Sequence, residues 1–353
     1  MDFKINSLNL GGRLVGLGNP CFVIAEAGVN HNGDINMAHR LVDLAVESGA
    51  DAVKFQTFQT ERIISRRAPK ADYQVKNTGA DESQFDMIKA LELPEEGFAQ
   101  LMAHCQDRGI LFLSTPFDHE SVDILARLDV AAFKVGSGEI TNLPLLEKIA
   151  GHGKPMIIST GMATIGEVET AVRVAQEAGT QEVILLHCVS NYPADPADVN
   201  LTAMHTMSRA FGLPVGYSDH TVGLEVPLAA VALGASVIEK HVTMDKSLPG
   251  PDHFASLEPD ELKRMISGIR IVEKSLGHGR KEPAESETNT IAVARKSLVA
   301  RLDLPAGTVL TEEMIDIKRP GNGLPPVMRP HLVGRALRVD VSEDTLFSLD
   351  LLE

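Results

Sequence analysis

Eight short apolar runs alternate with segments of helical spacing between residues 21 and 276, and few folds accommodate that rhythm. The runs are Cys21–Gly28, Asp51–Thr57, Gly109–Pro116, Ala131–Gly136, Lys154–Thr160, Glu182–Val189, Pro214–Ser218 and Ser236–Val242. They are rich in Val, Ile, Leu and Phe without strict polar alternation, as parallel strands covered on both faces are. Between them, Met37–Ser48 sets Met37, Leu41, Leu44 and Ala45 on one helical face, and Pro94 opens a helix running to Arg108. Ile165–Ala178, Leu224–Leu233 and Glu258–Leu276 share that spacing, while Gly49, Gly109, Gly179 and Gly234 stop helices just before the next strand. Eight such pairs predict a (β/α)8 TIM barrel, an α/β fold of about 250 residues. A doubly wound open sheet is the structural competitor.

The pattern predicts a barrel over 1–276, a linker over 277–290 and a small domain over 291–353. GHGRKEPAESETNT is polar and breaker-rich, and beyond it short strand-like runs (Ser297–Ala300, Val309–Leu310, Ile315–Lys318, Arg335–Val341, Thr345–Leu349) are separated by turn residues. So small a β-rich domain is marginal alone and is expected to dock on another surface. Residues 58–93 carry many charges and no clear periodicity, and such a long insertion after the second strand reads as a lid or binding loop.

With 33 basic and 48 acidic residues the net charge is −15, which repels nucleic acid and anionic membranes; an anionic substrate would need a locally cationic pocket. Cys21, Cys105 and Cys188 lack paired or metal-type spacing and read as buried, reduced thiols. The N-terminal stretch MDFKINSLNLGG carries no secretory pattern, and Val226–Ile238 is too short to span a bilayer, so a cytoplasmic location is expected.

Barrel enzymes gather their chemistry where strands end, and here nearly every strand ends in reactive side chains. Glu26 closes the first, followed by Asn30 and His31; the second carries Lys54 and Gln56, and the third ends in Ser114 and Thr115. Lys134, Ser137 and Glu139 mark the fourth, Ser159 and Thr160 the fifth, and His187 with Ser190, Asn191 and Tyr192 the sixth. Ser218, Asp219 and His220 end the seventh; Glu239, Lys240 and His241 end the eighth. Any one has a structural reading, but eight together point to a site.

His220 and His241 lie one β–α unit apart, so their strand ends are about 5 Å apart, and by the period of two Ser218 shares a face with His220 and Glu239 with His241. Two such imidazoles can hold a divalent metal with open positions, or serve as hydrogen-bonded pocket histidines. Lys54 and Lys134 are charges on apolar strands that need Glu26 and Glu239, or an anionic ligand, as partners. Lys134 and Ser137 have opposite parity, which requires a turn near Gly136 that can aim backbone N–H groups at a phosphate. Glu139 follows, placed as a base beside that anion.

Ten motifs in order, IAEAGVNHNG, VKFQT, STPFD, FKVGSGE, STGM, SNYP, YSDHT, IEKHVT, PGPDH and KRPGNG, resemble the bacterial sialic acid synthase family along essentially the whole chain, with a tail similar to its antifreeze-like (SAF) domain. The resemblance implies condensation of phosphoenolpyruvate with an open-chain N-acylated mannosamine, giving a sialic acid and phosphate, with manganese as the usual metal and magnesium or cobalt as alternatives. It implies His220 and His241 as metal ligands, and Lys54, Thr115, Lys134, Ser137, Ser159 and Ser218 as holding phosphoenolpyruvate. Glu139 would orient or deprotonate the attacking water, while Glu26, Gln56, Tyr192 and Asp252 would contact the sugar. Arg319, in KRPGNG, would reach the sugar from a partner subunit, which implies a domain-swapped homodimer. The family usually carries Asn two residues before the tyrosine, where this chain has Ser190; the SNYP form also resembles legionaminic acid synthases acting on 2,4-diacetamido-2,4,6-trideoxymannose. A phosphorylated mannosamine would call on Arg66, Arg67 and Lys70. A metal-dependent barrel hydrolase is the rival class, with Asp219 or Asp252 as an added ligand, and a non-enzymatic binding module is the weakest reading.

Overall fold

The computed structural model describes residues 7–79 and 81–353, so the first six residues of the stretch read as lacking a secretory signal lie outside it. The chain forms two compact units, the first ending at Gly277 and the second spanning His278–Glu353.

The first unit opens with an antiparallel hairpin, β1 (Leu8–Leu10) and β2 (Arg13–Val15). Eight parallel strands follow: β3 (Phe22–Gly28), β4 (Ala52–Thr57), β5 (Leu111–Pro116), β6 (Phe133–Val135), β7 (Met156–Ser159), β8 (Val183–Cys188), β9 (Val215–Asp219) and β10 (Val237–His241). Their order, β5-β4-β3-β10-β9-β8-β7-β6, pairs the first barrel strand with the last, and β5 and β6 lie side by side at the seam. Pairing of β3 with β10 rules out an open doubly wound sheet. All eight predicted strands are present, trimmed by a residue or two at their ends except that β9 runs one residue further, to Asp219.

Helices cover the outside: α1 (Ile35–Ser48) follows β3, and α2 (Thr60–Ile63), α3 (Asp72–Thr78), α4 (Gln84–Lys89) and α5 (Glu95–Arg108) lie between β4 and β5. Then come α6 (His119–Arg127), α7 (Leu143–Ala150), α8 (Ile165–Ala178), α9 (Ala203–Phe211), α10 (Glu225–Ala232) and α11 (Pro259–Leu276). Asp34 and Thr164 cap α1 and α8 through their side chains, and Gly49 ends α1 in the left-handed conformation that a glycine adopts without penalty. The insertion read as a lid or binding loop holds the short helices α2 to α4. Pieces of four to seven residues are too short to display helical periodicity, yet Ser83 caps α4, which buries Phe85 and Met87.

Strand side chains alternate, so the barrel has two cores. Outward residues such as Val23, Ala25, Val53, Phe55 and Ile158 pack against the helices. Inward, Phe22, Ile24, Ala52, Leu113, Ala132, Ile157, Ile184, Leu186 and Val237 fill the lower interior, and Leu8, Leu10 and Val15 of the hairpin pack against them. The hairpin plugs the N-terminal end, leaving the C-terminal rim as the way in.

The second unit pairs β11 (Ser297–Ala300) with β12 (Ile315–Lys318) in antiparallel register around its own core of Leu298, Leu310, Ile315, Leu337 and Phe347. Other predicted runs there form isolated bridges, such as Val309 with Ala336 and Leu304 with Val341. The stretch expected as a linker is partly helical: a turn at Glu285–Glu287 leads into α12 (Thr288–Ala294), which buries none of its residues. Among the described residues no helix is long and apolar enough to cross a membrane.

Candidate active site

Above the apolar layers, the next inward position of each strand is polar or reactive. Glu26, Lys54, Thr115, Lys134, Ser159, Cys188, Ser218 and Glu239 form a belt, with Gln56, His220 and His241 one step higher, and all line one cavity of about 320 Å³ at the C-terminal rim. Ser137, Ser190 and Tyr192 of the following loops line it too. The lysines and histidines thus share one chamber.

Four buried charges hold its floor. Lys54 Nζ lies 2.7 Å from Glu26 and 3.8 Å from Glu239, and donates to Thr115 Oγ1 at 3.0 Å. Lys134 Nζ lies 3.5 Å from Glu239 and donates to Ser159 Oγ at 2.7 Å. Ser218 Oγ donates to Glu239 Oε1, the oxygen that Lys134 approaches, at 2.9 Å, while Lys54 faces Oε2. Burial raises Glu26 to about 7 despite the neighbouring Lys54 ammonium. Burial likewise pulls Lys134 below the ordinary lysine range, with Glu239 opposing.

At Gly136 the chain turns, as parity requires, into a 3-10 turn at Ser137–Glu139. Ser137 Oγ accepts from Gly161 N at 3.0 Å, and a Cβ at Gly161 would stand only 2.7 Å from that oxygen and would also collide with Ser190 Oγ. Glycine there lets a backbone N–H and two hydroxyls converge beside Lys134.

The two imidazoles have ring centres 5.4 Å apart. His220 Nδ1 donates to Val189 O at 2.7 Å, which leaves Nε2 with its lone pair. His241 Nδ1 is buried without a hydrogen bond, 4.0 Å from Asp252 Oδ2, and burial holds this ring well below the usual histidine range. Burial raises Asp252 to about 6. Two neutral rings on one divalent ion, with bonds of about 2.1 Å, have centres about 5 Å apart, so the pair fits a shared ion. Among the described residues no three His, Cys, Asp or Glu side chains are arranged to hold a metal ion, so the two imidazoles stand as a pair.

Glu139 and His187 lie apart from the lining residues, and Arg319 belongs to the second unit. Glu139 does not line the cavity: the turn that brings Ser137 in carries its carboxylate to Asn142, whose Nδ2 donates to it at 2.7 Å. Arg319 follows β12 in the second unit, where it is exposed. His187 stays out of the cavity, bonded to Val199 O at 2.6 Å.

Two residues were missed. Cys188 is free and buried, as expected, but its thiol forms part of the wall, with Sγ 3.8 Å from His220 Nδ1. The inward parity of Ile184 and Leu186 was the signal that reveals it. Tyr73 of α3 lines the cavity and packs tilted against Tyr192 with ring centres 5.0 Å apart, while the Tyr192 ring centre stands 4.0 Å from that of His220. Asn77 of the same helix donates to Pro251 O at 2.7 Å, next to Asp252.

A closed parallel barrel with lysines, carboxylates and paired histidines around one rim cavity defines a barrel enzyme built for an anionic substrate. Residues 41–281 match the NeuB family and residues 295–353 the SAF domain. The chain is 50% identical to the N,N'-diacetyllegionaminic acid synthase of Campylobacter jejuni over 92% of this chain and 98% of that protein. It is 38% identical to the human N-acetylneuraminate-9-phosphate synthase over 97% of this chain and 95% of the relative. The crystal structure of the N-acetylneuraminic acid synthetase from Leptospira borgpetersenii, in complex with citrate, covers 81% of this chain and 95% of its own at a TM-score of 0.72 and 39% identity. The chain belongs to the NeuB family.

Proposed function

We propose that this enzyme condenses phosphoenolpyruvate with an open-chain N-acylated mannosamine-type aldehyde, giving a nonulosonic acid of the sialic type and inorganic phosphate. The supporting observation is the convergence of Lys54, Lys134 and the His220–His241 pair on one cavity. Carbon 3 of phosphoenolpyruvate attacks the aldehyde carbon, water adds to carbon 2, and phosphate leaves with cleavage of its bond to that carbon. Lys54, Thr115, Lys134, Ser137, Ser159 and Ser218 bind the carboxylate and phosphate, with Ser190 and the Gly161 N–H beside them. Gln56, Tyr192, Asp252 and Glu26 face the sugar. Glu139 orients the water once its carboxylate leaves Asn142; Glu26 and Glu239 are carboxyls already in the chamber.

His220 and His241 would hold a divalent metal, which we assign as Mn2+; when bound it supplies Lewis acidity toward the aldehyde oxygen. Two copies act as a domain-swapped homodimer in which Arg319 reaches the partner's sugar, in the cytoplasm. Among sugars, 2,4-diacetamido-2,4,6-trideoxymannose is favoured over N-acetylmannosamine and its phosphate by the higher identity to the Campylobacter synthase and by Ser190 in SNYP.

The test is phosphate release measured with each sugar in turn. Release should require both phosphoenolpyruvate and an N-acylated amino sugar, stop on chelation, and fall at least about a hundredfold in kcat/KM for Lys134→Met, since truncating one partner of a buried charge pair with a ligand costs about 2–5 kcal/mol of binding. Release without the sugar, or hydrolysis of unrelated esters, would return the site to the hydrolase class.

A further inference from the structure

The belt residues face the cavity, and the residues between them face the helices. On β9 and β10 that hidden face carries a second, separate arrangement. Lys240 and Asp219 stand opposite each other in the parallel register, and both side chains are fully buried. Lys240 Nζ donates to Asp219 Oδ2 at 2.5 Å and, closely, to the backbone carbonyl of Thr221. Asp219 Oδ1 accepts from Thr221 N at 2.9 Å and Oδ2 from Thr221 Oγ1 at 3.1 Å.

Both residues flanking His220 are therefore tied to one ammonium, and that ammonium belongs to the residue before His241. A buried ion pair of this kind gains little over an apolar pair of the same volume, so stability alone does not account for it. It does account for geometry: two ring-bearing positions on separate strands are cross-linked from behind, within one residue of each ring.

We propose that Lys240 and Asp219 are positioning residues, a brace that fixes the separation and aim of the two imidazoles without touching substrate. The inference rests on His220 and His241 being metal ligands. It places the control of metal affinity on the far face of the sheet, while phosphoenolpyruvate binding depends on Lys54 and Lys134 from other strands.

The decisive variant combines Lys240→Met with Asp219→Leu, which removes the charges together and leaves no buried ion unpaired. Mn2+ alone is titrated calorimetrically into the full-length protein, with thermal melting and steady-state kinetics alongside. We expect a Tm within a few degrees of the native protein, Mn2+ affinity lower by at least tenfold, a reduced kcat and a phosphoenolpyruvate KM within twofold. Native Mn2+ affinity and kcat in the folded double variant would overturn the brace. If that variant does not fold, Asp219→Asn is read by the same criteria. His241→Ala is the control: undiminished Mn2+ binding there would remove the metal reading itself and the brace with it, whereas lost binding there with native binding in the double variant refutes the brace alone.

Discussion

Glu26 shows how much depends on a single buried proton. With its pKa raised to about 7 by burial, the carboxyl is neutral below that pH and ion-pairs Lys54 above it. Its share of folding stability is fully present below the unfolded carboxyl value and is lost as pH rises through about 7. A neutral Glu26 leaves Lys54 freer for an anionic ligand. We therefore expect the KM for phosphoenolpyruvate to be lower at pH 6 than at pH 8, with that part of the pH dependence missing in Glu26→Gln; identical profiles for the two proteins would refute it. Cys21 and Cys105, both pushed up to about 12 chiefly by burial, should stay silent to an alkylating reagent at pH 8 in the native protein. Lys54 and Lys134 were legible in the sequence because a cation on an apolar strand demands a partner. That Glu139 rests on Asn142 was not legible, because position in the chain does not say which way a side chain leaves a 3-10 turn. Tyr73 gave no sign at all, since a tyrosine in a charged insertion has no period to betray its direction.

Strands and long helices were readable for a physical reason: both repeat, and the repeat is what sequence records. Even the inward face of each strand followed from the period of two, which is why the belt, Cys188 apart, could be listed from the sequence. The hairpin β1–β2 went unread because three-residue strands carry too little alternation, though Leu8, Leu10 and Val15 pack directly on the interior. Within β9, Gly216 marks where the interior has no space. A Cβ there would stand 2.7 Å from Val237 Cβ and 2.8 Å from Leu186 Cδ2, and would strike the Val237 carbonyl. Gly216→Ala should therefore destabilise the barrel by about 1–3 kcal/mol, seen as a lower denaturation midpoint at unchanged slope. A midpoint equal to the native one would show that the strands part more easily than this packing implies.

At the scale of the molecule, two units with separate cores raise the question of why the smaller one persists. On the proposed domain-swapped assembly, mixing His241→Ala subunits with Arg319→Ala subunits should recover part of the native turnover, because some mixed dimers hold one intact composite site. Verified mixed dimers without recovery would count against the swap. The composition changes near Gly277, where the first unit ends, whereas helix α12 left no trace in the sequence, because an exposed helix needs no apolar stripe. The rim cavity has a further consequence. Its two ammonium groups are already matched by two carboxylates, so the resting chamber is self-neutralised and admission works by exchange. A monovalent ion can answer one ammonium group, whereas a ligand with two anionic groups can answer both, so the doorway rewards valence as well as shape.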